Sequence, residues 1–431
     1  MQPSTRRIDL ATAIAVVIAN MIGTGLFTSL GYQLLETPAG FPVLAIWLLG
    51  GLLAFLGAVC YAEIATRLPA GGGEYHFLTE IYHPALGFMA GFTSATIGFA
   101  APIAAASLAF AGYLKGVFPT LPEKAVATTI ILAVAGLHVA HFSAGLSFQK
   151  AVTALKVAVI GLFVLAGFAA PAAQPVSFNP FDFSVSEIWN TGLAVNLVWV
   201  SFAYSGWNAS SYLAGEIVDP ERNVSRSLLY GTALVTALYV GLNAVFMRVA
   251  SVDALRGVKE VGLVAAISVF GETGGHFMGA LISLLLVSSI SSMIIAGPRV
   301  VRALSAAMPP LRALSVTDAG GNPVRAIAFQ AVLAIVLLHT VRFDTLLYYT
   351  AFTLSLFTLL TVAGVIVLRR RLGPPDTYRA WGYPWSPIAF VLGTLGFSGF
   401  FVVQHPLESL AGLSTALLGL VAYAFSDRRN G

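Results

Sequence analysis

Runs of about twenty apolar residues recur twelve times along this chain, and no other feature constrains its fold as strongly. They fall at 8–30, 42–66, 84–114, 124–142, 149–170, 187–213, 224–249, 276–304, 323–341, 343–368, 386–403 and 405–426. About twenty helical residues cross the hydrocarbon of a bilayer, where only helices and closed barrels satisfy their own backbone groups. The chain therefore reads as an all-α polytopic membrane protein with twelve transmembrane helices. Composition agrees: 57% of the 431 residues are hydrophobic and 10% are charged, against about 25% charged in a soluble domain. The opening "MQPSTRRIDLATAIAVVIAN" has the basic start of a signal peptide. Its apolar run continues past Phe27 with no small-residue cleavage site, so it reads as the first span.

Lysine and arginine set the orientation. With the N-terminus inside, sixteen fall on cytoplasmic segments, among them Arg6, Arg7, Arg67, Lys150, Arg299, Arg369, Arg428 and Arg429. Six fall outside: Lys115, Lys124, Arg248, Arg256, Lys259 and Arg342. Both termini are expected in the cytoplasm, in the inner (cytoplasmic) membrane of the cell. The net charge of +4 is spread over short loops and does not suggest nucleic acid. The hydrophilic stretches 67–83, 214–226, 305–322 and 369–385 are too short to form a separate domain. "VGLVAAISVFGE" (261–272) reads as a helix lying along the interface. The single cysteine, Cys60, excludes an intrachain disulfide.

Two spans contain breaks. "ANMIGTGLFTS" (19–29) places Gly23 and Gly25 around Thr24, about 15 residues into the first run. "WVSFAYSGWNASSYL" (199–213) places Ser205 and Gly206 about 18 residues into the sixth. Glycine costs about 1 kcal/mol against alanine in a helix interior, and non-helical backbone at membrane depth is tolerated where it lines a cavity. The first and sixth helices open two five-helix units, 1–171 and 187–369, followed by two more helices at 385–426. Matching breaks in two halves point to a transporter built on an inverted repeat, with its site at the breaks. Freed N–H groups attract a carboxylate and freed carbonyls an ammonium, and an α-amino acid carries both. The alternative is that the glycines serve only close helix packing.

"IGTGLF" (22–27), "FAYSGWNASSYLAGEIVDPERNVSRSL" (202–228) and "YAEIATRLPAGGGEY" (61–75) resemble the amino acid–polyamine–organocation superfamily. They are most similar to its L-type amino acid transporter branch and the bacterial relatives of that branch. The resemblance spans helices 1–10 and implies the LeuT fold, a 5+5 inverted repeat with helices 1 and 6 broken. It implies that N–H groups of Thr24 and Gly25 hold the substrate carboxylate, with Gly23 allowing the turn. It implies that carbonyls at Met21, Phe202 and Ser205 meet the ammonium, with Ile22 and Ala203 adjacent. It assigns the Phe202 ring as a gate over bound substrate, against plain core packing. Asn208 either bonds the unwound segment or caps the second half-helix. Members in animals join a heavy-chain glycoprotein through a cysteine between helices 3 and 4. "KGVFPTLPE" (115–123) has none, so no disulfide-linked heavy chain is expected.

Lys156 lies six residues past Lys150, about 9 Å into the fifth helix at 1.5 Å per residue. An ionisable residue at that depth is functional by default, and snorkelling back to the interface is the alternative. The resemblance places this lysine where sodium-coupled relatives bind Na⁺, within reach of helix-1 carbonyls and the serines Ser288, Ser289, Ser291 and Ser292. That implies sodium-independent exchange, facilitated diffusion or proton coupling.

The remaining polar residues have plainer readings. Glu63 pairs with Arg67 at i,i+4 or serves an inner gate. Glu216, Arg222 and Arg226 are expected to form an inner charge network, and Trp207 to pack behind helix 6. His138 and His141 have no acidic residue beside them and do not suggest a metal site. No cofactor motif occurs, and a P-loop, HExxH and GxSxG are absent, so neither ATP-driven transport nor an enzyme is indicated. Helices 1, 3, 6, 8 and 10 carry no acidic residue at site depth, which favours neutral amino acids. A carrier of cationic amino acids or polyamines is the alternative, and a membrane receptor or channel is the alternative of another class.

Overall fold

The computed structural model describes residues 8–140, 142–174, 176–184, 191–318 and 321–427. Arg6, Arg7, His141, Arg428 and Arg429 lie outside the described residues.

Helix α1 (Leu10–Met21) starts at a cap: the Asp9 carboxylate accepts the Thr12 amide at 2.8 Å. It stops at Ile22, and α2 (Thr24–Glu36) resumes after Gly23. Next come α3 (Gly40–Arg67) and the short α4 (Glu74–Ile81). A long interrupted helix follows: α5 (Pro84–Thr93), a π-helical turn at Ser94–Gly98, and α6 (Ala100–Val117). α7 (Glu123–Ala140) and α8 (Phe142–Ala169) complete the first half.

In the second half α9 (Thr191–Ala203) gives way to a 3-10 helix at Ala209–Glu216. α10 (Pro220–Val249), α11 (Val261–Ala306), α12 (Val324–Thr340), α13 (Phe343–Leu372), α14 (Trp385–Gln404) and α15 (Pro406–Asp427) follow. Prolines 84 and 220 sit in the first turns of their helices, where a missing N–H costs nothing. Gly373, at φ 71°, ends α13. No strand occurs among the described residues.

Among the described residues ten helices are long and apolar enough to cross a membrane, α1 with α2 and α5 with α6 each counting once. Two of the twelve expected runs fall outside that set for different reasons. The run 187–213 is interrupted at 204–208 and its residues 187–190 lie outside the described residues, and α12 is only 17 residues long. The helix expected at 261–272 is a separate arm at the start of α11: the chain breaks at Gly271 (φ 72°, ψ 178°) and folds back, so that a Cβ on Gly275 would stand 2.7 Å from Cα of Ile267, and Val261, Ala265 and Ala266 are fully buried against the protein.

The interruptions lie in the middle of the main core. α3 runs along α10, with Trp47 set edge-on to Tyr239 at 5.3 Å. α1 packs between α10 and α8, and α11 runs along α6. The two broken segments are also joined at one end. The Ile8 amide donates to the Glu216 carbonyl at 3.1 Å, and the Val218 amide donates to the Ile8 carbonyl at 2.9 Å.

Candidate functional site

At the first interruption the backbone turns through Ile22 (ψ 83°) and Gly23 (φ −125°, ψ −147°). The Gly23 amide folds back on the Met21 carbonyl at 2.8 Å. The carbonyls released here are met by side chains from three other helices. Tyr239 of α10 has its hydroxyl 2.5 Å from the Met21 carbonyl and 2.8 Å from the Ala203 carbonyl, so one donor serves both breaks. Lys156 of α8 is fully buried and donates to the Ile22 carbonyl at 2.6 Å and to Ser289 Oγ at 2.9 Å. Ser289 itself donates to Ile22 at 2.7 Å. No side chain caps the start of α2, so its first-turn amides lack the partners that a cap provides.

The second interruption spans residues 204–208. The Ser205 amide donates to the Phe202 carbonyl at 2.9 Å, and Gly206 adopts φ 90°. A Cβ at Gly206 would stand 2.9 Å from Cβ of Asn20. A Cβ on Gly25 would stand 2.5 Å from Cα of Ala203. The breaks therefore touch at two points, and glycine at both is a requirement of close approach.

A cavity of about 180 Å³ opens beside them. Its wall includes Asn20, Gly98, Phe99, Ser205, Asn208 and Met293. Of the expected substrate-binding residues, Ser205 and Asn208 line it, whereas Met21, Ile22, Gly23, Thr24, Gly25, Phe202 and Ala203 do not. Those seven are packed at the junction of α1, α2 and α9. Phe202 is buried with Trp199, Ala105 and Ala351, and Ala351 also lines the cavity. Trp199 stacks on Tyr32 at 4.5 Å and leans on Tyr348 at 5.2 Å, which makes an aromatic layer over this side.

Several expected partnerships differ. Lys156 reaches one serine, Ser289; Ser292 instead bonds Asn20 and the Val16 carbonyl, Ser291 bonds His138, and Ser288 donates to its own helix at Leu285. The Asn208 side chain neither bonds the unwound segment of the first break nor caps the backbone of the turn it precedes. Its Nδ2 donates to Glu74 Oε1 at 2.6 Å and to the Tyr212 hydroxyl at 3.2 Å. Glu63 lies 3.6 Å from Arg67 but binds Arg369 more closely, at 2.5 and 2.9 Å, and accepts the Ala380 amide at 2.7 Å. Glu216 pairs with Arg299 at 3.1 Å, while Arg222 and Arg226 form no ion pair among the described residues. Trp207 packs against Tyr61 and Phe390 and also reaches the cavity wall. Among the described residues no group of His, Cys, Asp and Glu could hold a metal ion.

Sequence reasoning missed Tyr239, Asn20, the π-helical turn and Glu74. Tyr239 is one tyrosine in an ordinary apolar run. The π turn, a feature frequent at functional sites, has no proline in "TSATIG" and a glycine only at its last position, Gly98. Glu74 did carry a signal, the three glycines before it.

A family model described as amino acid permease matches residues 8–422. The serine/threonine exchanger SteT of Bacillus subtilis is 27% identical over 98% of this chain and 97% of its own length. The large neutral amino acids transporter small subunit 2 of Homo sapiens is 27% identical, covering 97% of this chain and 80% of its own. The b(0,+)-type amino acid transporter 1 of Mus musculus is 25% identical over 97% and 87% respectively. The family match takes in both interrupted helices and nearly the whole chain: this protein belongs to the amino acid permease family, a family of transporters and not of enzymes.

Proposed function

We propose that the chain moves amino acids, chiefly neutral L-amino acids, across the cytoplasmic membrane by sodium-independent alternating access, as an exchanger. The architecture in this reading is the LeuT fold: twelve spans, two five-helix repeats at 1–171 and 187–369 inverted about the breaks, helices 11 and 12 outside them, and both termini cytoplasmic. The uncapped start of α2 at Thr24 and Gly25 takes the substrate carboxylate. Freed carbonyls at the breaks, with Ser205 of the cavity wall, take the ammonium. The seven residues packed at the junction reach substrate when α2 and α9 part, and the Phe202 ring closes over it.

The observation that carries the reading is the buried Lys156 ammonium on the Ile22 carbonyl and Ser289. A fixed cation bound to broken backbone occupies a place that a second cation would have to share, and like charges at that distance repel strongly in low dielectric. SteT, a serine/threonine exchanger by name, is the relative whose activity fits best.

The test is counterflow in proteoliposomes. Preloading with unlabelled alanine or leucine should accelerate entry of labelled amino acid equally in sodium and in choline buffer. A strict sodium requirement would overturn the role of Lys156, and absence of acceleration would overturn exchange.

A further inference from the structure

Glu74 is the one acidic residue in the cavity wall among the described residues, and it arrives from outside the helices that form the breaks. Three glycines bring it there. Gly72 and Gly73 adopt φ 112° and 56°, and a Cβ on Gly73 would stand 2.2 Å from the Tyr212 ring. The Gly72 amide donates to the Tyr212 carbonyl at 3.2 Å. The loop is thus stitched to the 3-10 half of the second broken segment, and α4 starts with Glu74 against the cavity.

Glu74 is 4% exposed, and its two carboxylate oxygens differ. Oε1 accepts the Tyr61 hydroxyl at 2.7 Å and Asn208 Nδ2 at 2.6 Å. Oε2 is buried with no hydrogen-bond partner. Among the described residues Glu74 has no ion pair with a lysine, arginine or histidine. The Tyr212 hydroxyl, which accepts from Asn208, also lies in hydrogen-bonding contact with this carboxylate. A purely structural acceptor for Tyr61 and Asn208 needs one oxygen, which a glutamine would supply. A buried carboxylate oxygen left without a donor costs free energy, and a donor that reached it from the cavity as the wall rearranged would satisfy it.

We propose that Glu74 is a specificity-determining residue: its unpaired oxygen accepts a hydrogen bond from an O–H or N–H donor at the end of the substrate's side chain, a hydroxyl or an ammonium. This rests on the amino-acid exchange reading and refines its substrate class. The preference for neutral side chains came from finding no acidic residue on helices 1, 3, 6, 8 and 10. The structure goes round that premise, because α4, outside those helices, supplies the acid. Binding sites built around a hydrogen bond reject isosteres that lack the donor.

The experiment uses full-length protein in alanine-loaded proteoliposomes and two isosteric pairs, threonine against valine and ornithine against norleucine. Each pair is read as a ratio of competition constants, so a loss of overall rate does not obscure it. Wild type should prefer the donor-bearing member of at least one pair by about tenfold, and the pair affected assigns the donor as hydroxyl or ammonium. Glu74→Ala should bring that ratio close to one. Glu74→Gln keeps the bonds to Tyr61 and Asn208 on its single oxygen and puts an NH2 donor in place of Oε2, so it should lose an ornithine preference and weaken a threonine preference. Where a variant is folded but too slow, the ligand-induced shift in Tm of the detergent-solubilised protein gives the same ratios. Wild-type counterflow with both ratios near one would overturn the assignment and leave exchange standing. Ratios unchanged in Glu74→Ala, with or without a lost response to a pH gradient, would also overturn it. No counterflow by any amino acid in wild type would overturn the exchange reading, and this assignment with it.

Discussion

The two interruptions solve one problem in opposite ways. At the first, the freed carbonyls are held by side chains imported from α8, α10 and α11: Lys156, Tyr239 and Ser289. At the second, the chain turns on its own residues, with Gly206 at φ 90° and short-range bonds from Ser205 and Ala209. The first break is therefore tied to the surrounding helices, and the second is bounded by the cavity. A transporter has to keep part of its site fixed while another part rearranges. The difference suits the first break to the fixed part and the second to the moving one, with Tyr239 spanning both.

Gly25→Leu should break the comparison most completely. Its side chain would drive α2 off α9 at Ala203, where even a methyl carbon would sit 2.5 Å from Cα. Uptake and labelled-substrate binding should both fall to background, with the protein still inserted as judged by its size-exclusion profile. Decarboxylated amines should compete poorly with the parent amino acids in wild type; equal competition would contradict the carboxylate role of the α2 amides.

Lys156→Ala comes next. It leaves the Ile22 carbonyl with Ser289 alone in a dry site. Losing a hydrogen bond from a charged group costs about 1.5–3 kcal/mol, so exchange should fall by roughly 10- to 100-fold. Full activity would mean that the ammonium is incidental.

Two smaller effects address the second break. Phe202→Ala opens the aromatic layer without touching the backbone, and exchange should slow several-fold, with Phe202→Trp closer to wild type. Gly206→Ala forces a residue with a Cβ to φ 90°, at a cost on the order of 1–2 kcal/mol, and presses on Asn20. A moving break should show this as a lower turnover rate with little change in half-saturating concentration. A rise confined to half-saturation would place Gly206 in binding and not in movement.

How far the sequence foretold this site follows from what each residue leaves in it. Apolar runs and glycine pairs are local signals, so the helices and both interruptions could be placed from spacing. Lys156 stood out because a charge in an apolar run has few explanations. Partners are long-range facts and were harder to read. Four serines in "SSISS" look alike in sequence, yet helical geometry aims Ser289 at Lys156, Ser291 at His138 and Ser292 at Asn20. Glu63 has an arginine four residues on, but the closer one is Arg369, 306 positions away. Both readings of Asn208, a bond to the unwound segment or a cap on the half-helix, use backbone of the breaks, and its actual partner Glu74 comes from another helix. Glu74 was passed over because it lies in a hydrophilic loop, and only the fold of the glycines carries that loop to the cavity.

The smallest expected effect is the control for the largest claim about charge. Lys150 and Lys156 share α8, six residues apart. Lys150 lies 3.7 Å from Asp9, and both side chains are about half exposed, at 51% and 58%. Such pairs contribute about 0–1 kcal/mol because water and salt screen them. Asp9 also keeps its other task, capping α1 through Thr12, when the lysine is gone. Lys150→Ala should therefore leave the exchange rate within about twofold of wild type, at low and at physiological salt alike. Lys156→Ala should show its full loss in the same assay. If the two variants fell equally, the loss would belong to α8 as a whole, and the tie between Lys156 and the first break would have no special part in transport. If only Lys156→Ala falls, the depth of the ammonium and the carbonyl it meets account for the difference, since side-chain type, helix and substitution are the same.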